Sequence, residues 1–192
     1  GIAASYFFRI VNESYDESSI REIVKLNHEL GYHYEDLALA AGSFKNALSS
    51  FDKNLKKFRE FYPVTTMCMH GSPMSKWDNR KLWDEFNYRD YGIIAEPYFD
   101  LDFNKIFYLT DASRSWNNEA VTLRDKVDSV YNISINSTND IIKLLKKGDM
   151  PKQLMISTHP HNWAISNSQW LKIKLWQGAK NQVKKILVKR AE

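Results

Sequence analysis

Apolar runs typical of β-strands alternate with amphipathic helical patterns along the whole sequence of 192 residues. Strands are predicted over residues 3–11, 32–34, 64–69, 92–95, 106–109 and 153–158. Helices are predicted over residues 14–30, 43–62, 81–86, 138–147 and 168–189. Because strand and helix patterns trade places over the full length, the sequence predicts an α/β fold with mainly parallel strands and a single domain over residues 1–192.

The first helix has the least certain boundaries in this pattern. Asp16 or Ser14 is a suitable N-cap, and the apolar residues that follow keep a helical spacing as far as Leu30. Gly31 is then expected to end the helix. His28 falls inside this segment, so we interpret it as a structural or surface histidine.

The composition excludes several classes of protein. With 43% hydrophobic and 26% charged residues the chain is globular. The net charge of +4 is a mild excess, much of it in the last helix, and nucleic-acid-binding modules concentrate basic residues on one face more heavily. The single cysteine, Cys68, excludes an internal disulfide and favours a reducing compartment, so we expect a cytoplasmic protein. No apolar run approaches the ~20 residues that span a bilayer. The oligomeric state cannot be read from the sequence.

Four of the five histidines and several carboxylates follow predicted strands directly. The carboxyl ends of parallel strands meet at one end of an α/β fold, and catalytic side chains gather there. We therefore expect His33, His70 and His159 to converge on one site. The segments that contribute to it are His33-Tyr34-Glu35-Asp36, His70-Gly71-Ser72-Pro73, Glu96-Pro97-Tyr98, the run from Asp111 to Trp116, and His159-Pro160-His161-Asn162-Trp163.

Each of these residues also has a structural interpretation. His33 could form only hydrogen bonds within its loop, and His70 could be a turn residue that caps a strand. His161 is expected to face solvent. Trp116 and Trp163 lie in polar loops, where they are candidate walls of a sugar-binding site or ordinary packing residues. The 14% aromatic content does not separate these two roles.

The segment from Ile23 to His33 resembles the "GHEIGNH" motif of polysaccharide deacetylases, carbohydrate esterase family four. The opening GIAASYFFRI is similar to that family's "GIKATFFV" strand. The combination of HYEDL, MHGSP, EPYFD, LTDxxRxW and THPxxW resembles a divergent bacterial branch linked to surface-polysaccharide genes. The resemblance implies an incomplete (β/α)7-type barrel, and a hydrolase that uses a divalent metal, usually zinc, to remove acetyl groups from a sugar or polysaccharide.

The resemblance also implies roles for individual residues. His33 matches a metal-binding histidine, His70 is the preferred second ligand with Glu35 next, and His159 matches the late histidine that acts as the acid. Asp111 is the predicted catalytic partner of His159. The residues expected to shape the substrate pocket are Glu35, Glu96, Arg114, Trp116 and Trp163.

Two departures from the family pattern keep alternatives open. The family's second metal histidine should fall at Leu37, and its aspartate-bearing first strand would lie before Gly1. We therefore expect the natural domain to begin upstream of this sequence. The first alternative is a non-catalytic glycan-binding or scaffold domain of a polysaccharide assembly system. The second is a metal-independent hydrolase that uses His159 with Asp111 or Glu96.

Overall fold

A computed structural model describes residues 1–71, 75–114, 116–117 and 126–191, without the side chains of Ser113 and residues 183–191. The chain forms two compact units, Gly1–Leu101 and Asp102–Glu192. Both are mixed α/β structures with parallel strands, so the predicted fold class is confirmed at this level. Neither sheet closes into a barrel within the described residues.

The first unit contains a three-stranded parallel sheet of order β1-β2-β3. Its elements are β1 (Ser5–Phe8), α1 (Glu17–Lys25), β2 (Glu29–Tyr34), α2 (Asp36–Leu39), α3 (Phe44–Arg59), β3 (Met67–Met69), 3-10 turns at Asn79–Asp84 and Tyr88–Tyr91, and α4 (Pro97–Asp100). An isolated parallel bridge joins Thr66 to Ala95, which is all that forms of the strand predicted over residues 92–95. The helix predicted over residues 81–86 is the 3-10 turn at Asn79–Asp84.

Helix α3 shows how the core of this unit forms. Its apolar residues recur at helical spacing, and Ala47, Phe51, Leu55 and Phe58 are all buried. Tyr32 of β2 packs against this face, with its ring centre 5.3 Å from those of Phe51 and Phe58. Alternation along β2 turns Tyr32 and Tyr34 to the core and leaves His33 partly exposed.

Helix α1 ends earlier than the sequence predicts. Asp16 caps it as expected, accepting a hydrogen bond from the backbone N of Ser19 at 2.9 Å. The helix stops at Lys25 because Asn27 takes a left-handed conformation (φ 60°), which asparagine tolerates better than most residues. Leu30 is therefore a buried residue of β2, and His28 lies in the connection, where its Nδ1 accepts from the backbone N of Ala4.

The second unit is built on two parallel strands, β4 (Phe107–Thr110) and β5 (Leu154–Ser157), in the register Phe107↔Leu154 to Thr110↔Ser157. Helix α5 (Thr138–Lys147) confirms the predicted bounds. A capping box between Ser137 and Asp140 begins it, and Gly148 in the left-handed region (φ 74°) ends it. The remaining elements are 3-10 turns at Ala112–Arg114 and Pro160–Asn162 and the long helix α6 (Asn167–Ala191).

A small apolar core lies between α5 and this sheet, made of Phe107, Leu109, Ile135 and Ile141. Among the residues that the structure describes, none of the helices is both long enough and apolar enough to span a membrane.

Candidate functional site

Three polar side chains follow the three strands of the first unit and bind one another. Arg9 follows β1, Glu35 follows β2 and His70 follows β3. Arg9 donates to Glu35 Oε1 from Nε at 2.7 Å and from Nη2 at 2.6 Å. His70 Nδ1 lies 2.8 Å from Glu35 Oε2. Together with His33, we call these residues the strand-end network.

Glu35 is the centre of this network. It is only 6% exposed, and burial alone would oppose its ionisation. The hydrogen bonds and charges of His70 and Arg9 outweigh that cost, so the pKa of Glu35 is lowered. An ionised Glu35 accepts from both neighbours and fixes the orientation of the His70 ring.

The two histidines of the network are neighbours in space. The ring centres of His33 and His70 are 5.2 Å apart, with the rings nearly perpendicular at 76°. His33 Nδ1 lies 2.8 Å from the carbonyl oxygen of Cys68, which accepts but cannot donate. His33 must therefore carry its proton on Nδ1 when neutral. The carboxylate of Glu35 imposes the same tautomer on His70.

Buried Asn79 positions the loop that carries His70. Its Nδ2 donates to the His70 carbonyl at 2.8 Å, while its Oδ1 accepts from the backbone N of Ala38 at 2.9 Å. The backbone N of His70 also donates to the Tyr34 carbonyl at 2.8 Å, which continues the pairing of β2 with β3. The His70 backbone is thus tied to its neighbours on two sides. Ser72 and Pro73 of the predicted HGSP motif lie outside the described residues.

Two of the predicted metal ligands lie next to each other. His33 and His70 are adjacent, and two imidazoles sharing a tetrahedral zinc ion at about 2.0–2.1 Å have ring centres roughly 5 Å apart, which fits the observed spacing. In each ring Nδ1 also faces a hydrogen-bond acceptor, as the second ring nitrogen of a metal-binding histidine usually does. In the described part of the chain, no group of three or more His, Cys, Asp or Glu side chains is arranged to hold a metal ion.

Neither Leu37 nor Glu35 supplies a third metal ligand beside His33 and His70. Leu37, at the position of the family's second metal histidine, is fully buried in the core. Both carboxylate oxygens of Glu35, the predicted reserve ligand, are engaged by Arg9 and His70.

Glu96 lies in the interior rather than on a pocket surface. It is 0% exposed, and its oxygens accept from the backbone N of Met69 at 3.0 Å and of Tyr98 at 2.6 Å. Burial raises the pKa of Glu96 to about 7, although these two hydrogen bonds favour the ionised form. Glu96 thus ties the amino end of α4 to β3, and its described contacts give no support to substrate binding.

The second unit contains the predicted pair of His159 and Asp111. Asp111 follows β4 and His159 follows β5, so the parallel strands bring both to the same edge. Asp111 Oδ1 lies 2.6 Å from His159 Nδ1 and accepts from the His159 backbone N at 2.9 Å. The carboxylate therefore directs the Nδ1 proton of His159 toward itself and makes Nε2 the atom that exchanges protons.

The remaining predicted residues lie at different depths in the second unit. Arg114 adopts a left-handed backbone (φ 58°), and its guanidinium carbon lies 5.2 Å from the ring centre of Trp170. Trp116 packs against the apolar core and donates from Nε1 to Thr138 Oγ1 at 3.2 Å, so it is not an open wall. Trp163 is 60% exposed, as a sugar-facing ring would be.

Sequence reasoning missed Arg9 and Trp170, and it included Asn162 only as a member of the segment that follows the last strand. Arg9 was placed inside the predicted strand over residues 3–11, whereas β1 ends at Phe8 and Arg9 is the first residue after it. Asn162 donates from Nδ2 to the Asp111 carbonyl at 3.0 Å. The signal in the sequence was that the site residues directly follow strands. Had the first strand been predicted to end at Phe8, Arg9 would have been counted among these residues.

A cavity of about 510 Å³ lies away from these residues, at the amino-terminal edge of the first sheet. Its lining includes Ser5 and Glu29, the first residues of β1 and β2, together with His28 and Tyr62. Since the strand-end network lies at the carboxyl ends of the same strands, the cavity and the predicted chemistry do not coincide.

No protein-family model, curated protein or solved structure matches this chain. The site is therefore defined by its own geometry and by the resemblance of its motifs.

Proposed function

We propose that this protein is a metal-dependent hydrolase that removes acetyl groups from a sugar or polysaccharide. The observation that carries the proposal is the His33–His70 pair, with ring centres 5.2 Å apart and both Nδ1 atoms held by acceptors. With the proton on Nδ1, Nε2 is in each ring the nitrogen whose lone pair would bind a metal ion. The resemblance to polysaccharide deacetylases supplies the substrate class.

In this proposal His33 and His70 would hold the metal ion, and the resemblance implies an aspartate as the third ligand. Zinc is the expected ion because a catalytic zinc site takes three protein ligands, such as histidine nitrogens and carboxylate oxygens, and leaves the fourth coordination position open. A bound divalent metal lowers the pKa of a water molecule and polarises the acetyl carbonyl. Glu35, itself held by Arg9, keeps the His70 ring in the binding orientation.

His159 is the proposed acid of the reaction. Water adds to the acetyl carbonyl, the C–N bond breaks, acetate leaves, and the departing amine takes a proton from His159 Nε2. Asp111 stabilises the protonated imidazole and fixes its orientation through the 2.6 Å contact to Nδ1. The base that accepts the water proton is, by the resemblance, a second aspartate.

The finer predictions from the sequence belong to the same proposal. They are an incomplete (β/α)7-type barrel, a cytoplasmic location and a place in bacterial surface-polysaccharide synthesis. What supports the fold part of the proposal is that each unit, taken by itself, has parallel strands with polar residues at their carboxyl ends.

Zinc titration and acetate release from N-acetylated oligosaccharides test the proposal. Wild-type protein should bind zinc and release acetate. His33→Ala and His70→Ala should lose both, and His28→Ala serves as the matched control because His28 lies outside the strand-end network. His159→Ala should keep zinc and lose acetate release, whereas its neighbour control, His161→Ala, should keep both. Absence of zinc binding together with absence of acetate would refute the proposal.

A metal-independent hydrolase is the second candidate, and the direct His159–Asp111 contact favours it. Acetate release that survives a chelator would select this candidate. A glycan-binding domain without catalysis remains the third, because Leu37 occupies a ligand position and Trp163 is exposed. Binding of oligosaccharide without acetate release, with zinc supplied, would select it.

A further inference from the structure

Two polar atoms near the His159–Asp111 pair are buried without a hydrogen-bond partner. They are Nη1 of Arg114 and Oδ1 of Asn162. A buried donor or acceptor without a partner is costly, and the cost is greater for a charged group such as a guanidinium. In native proteins such atoms usually face a water molecule or a ligand. Here one donor and one acceptor are left over in the same region.

Asp111 brings these two residues together. Its carbonyl oxygen accepts from the backbone N of Arg114 at 2.9 Å and from Asn162 Nδ2 at 3.0 Å. Because that carbonyl requires a donor, the amide of Asn162 must point its nitrogen at Asp111 and its oxygen elsewhere. The unpartnered oxygen and the unpartnered guanidinium nitrogen thus belong to side chains anchored on one residue.

The surroundings of Arg114 are positively charged. The Arg114 guanidinium lies over the Trp170 ring, and Lys174 Nζ lies 4.8 Å from the centre of the same ring. None of the ion pairs found among the described residues involves Arg114. The nearby carboxylate oxygen of Asp111 already accepts from two nitrogens of His159.

Backbone strain at Arg114 supports a binding role. A left-handed conformation (φ 58°) is unfavourable for arginine, and strained residues of this kind cluster at ligand sites. The Arg114 guanidinium lies over the Trp170 ring, and Arg114 and Asn162 are each partly exposed as whole residues. Arg114 Nη1 and Asn162 Oδ1 are themselves covered, so a ligand reaches these two atoms only when the side chains around them move.

We infer that Arg114 and Asn162 bind the anionic group of an acidic sugar, a carboxylate or a phosphate. An oxyanion accepts from the guanidinium of Arg114, and a neighbouring hydroxyl of the ligand donates to Asn162 Oδ1. Trp163, next to Asn162 and 60% exposed, adds a flat apolar surface beside the ligand. That the anion is carried by a sugar rests on the proposed function, whereas the oxyanion site itself does not.

Isothermal titration of the protein with glucuronic acid, inorganic phosphate and neutral glucose, without added metal, tests the inference. One or both anions should bind and glucose should not. Binding of glucuronic acid identifies a carboxylate ligand, and binding of phosphate identifies a phosphorylated one. Arg114→Gln should weaken anion binding at least about tenfold, because a charge-assisted hydrogen bond is lost. The matched control is Arg21→Gln, an exposed arginine of α1, which should bind as the wild type does.

Asn162→Asp provides a second variant in case Arg114→Gln does not fold, as judged by circular dichroism. The added carboxylate should repel the anion and weaken binding by a similar factor. The inference is overturned if neither anion binds, if glucose binds as tightly, or if a folded Arg114→Gln or Asn162→Asp variant binds like the wild type. These titrations measure anion binding and not acetate release. A failure of the anion site can therefore be distinguished from a failure of the proposed hydrolase activity.

Discussion

Glu96 makes the stability of the first unit depend on pH in a direction opposite to that of most carboxylates. Burial raises its pKa to about 7 from an ordinary value of 4.5. The folded state therefore prefers the protonated form. The contribution of Glu96 to the free energy of unfolding is largest below pH 4.5, the ordinary pKa of a glutamate. It declines as the pH rises toward 7 and changes little at higher pH.

The size of the effect follows from the two pKa values of Glu96. At about 1.4 kcal/mol for each pH unit, the full difference corresponds to roughly 3 kcal/mol. Between pH 5 and pH 8.5 the linkage relation gives roughly 2–3 kcal/mol. In Glu96→Gln this titration is absent. The free energy of unfolding of the variant, relative to wild type, should therefore increase by roughly 2–3 kcal/mol across that interval.

Urea unfolding at a series of pH values, followed by circular dichroism and tryptophan fluorescence, measures this difference. Glutamine also disturbs the hydrogen bonds from Met69 and Tyr98, but that offset is present at both pH values and cancels. Glu13→Gln, at an exposed carboxylate, is the control and should show no such trend. A Glu96→Gln difference that stays constant within about 0.5 kcal/mol would refute the assignment of a raised pKa to Glu96.

Three further predictions concern the strand-end network, the His159–Asp111 pair and the core. Glu35→Gln removes the carboxylate that orients His70 and should weaken zinc binding about 10–100-fold in a competition titration. The control variant Glu13→Gln should bind zinc as the wild type does, and a zinc affinity of Glu35→Gln equal to that of the wild type would contradict the role of Glu35. Asp111→Asn should lower kcat for acetate release by orders of magnitude at nearly constant KM, because the Nδ1 proton of His159 loses its charged acceptor; an unchanged kcat would exclude this role. Phe51→Ala should destabilise the protein by about 3–5 kcal/mol in urea, since Phe51 is fully buried between β2 and the 3-10 turns; a loss below about 1 kcal/mol would contradict that packing.

The helices that could be predicted from the sequence are those with one dominant periodicity. Helix α5 carries a capping box and a terminal glycine, so its bounds follow from local signals. The end of α1 could not be predicted because Leu30 suits a helical face and a buried strand equally well. The left-handed turn at Asn27 places Leu30 in the strand. A single asparagine in the sequence is not enough to predict such a turn.

The candidate site was predictable to the extent that it follows strand ends. His33 and His70 come together because β2 and β3 are parallel neighbours, and Asp111 meets His159 for the same reason in β4 and β5. The bond from Arg9 to Glu35 joins residues 26 positions apart and depends on where β1 ends. Such long-range pairing has no local signature in the sequence.

The central claim is that His33 and His70 together hold a divalent metal ion. X-ray absorption at the zinc edge, on zinc-loaded protein and on His70→Ala, tests it most directly. At least two imidazole nitrogens are expected at about 2.0–2.1 Å from the zinc ion in the wild type, and one fewer in the variant. A zinc environment without imidazole ligands, or one that His70→Ala leaves unchanged, would contradict the claim.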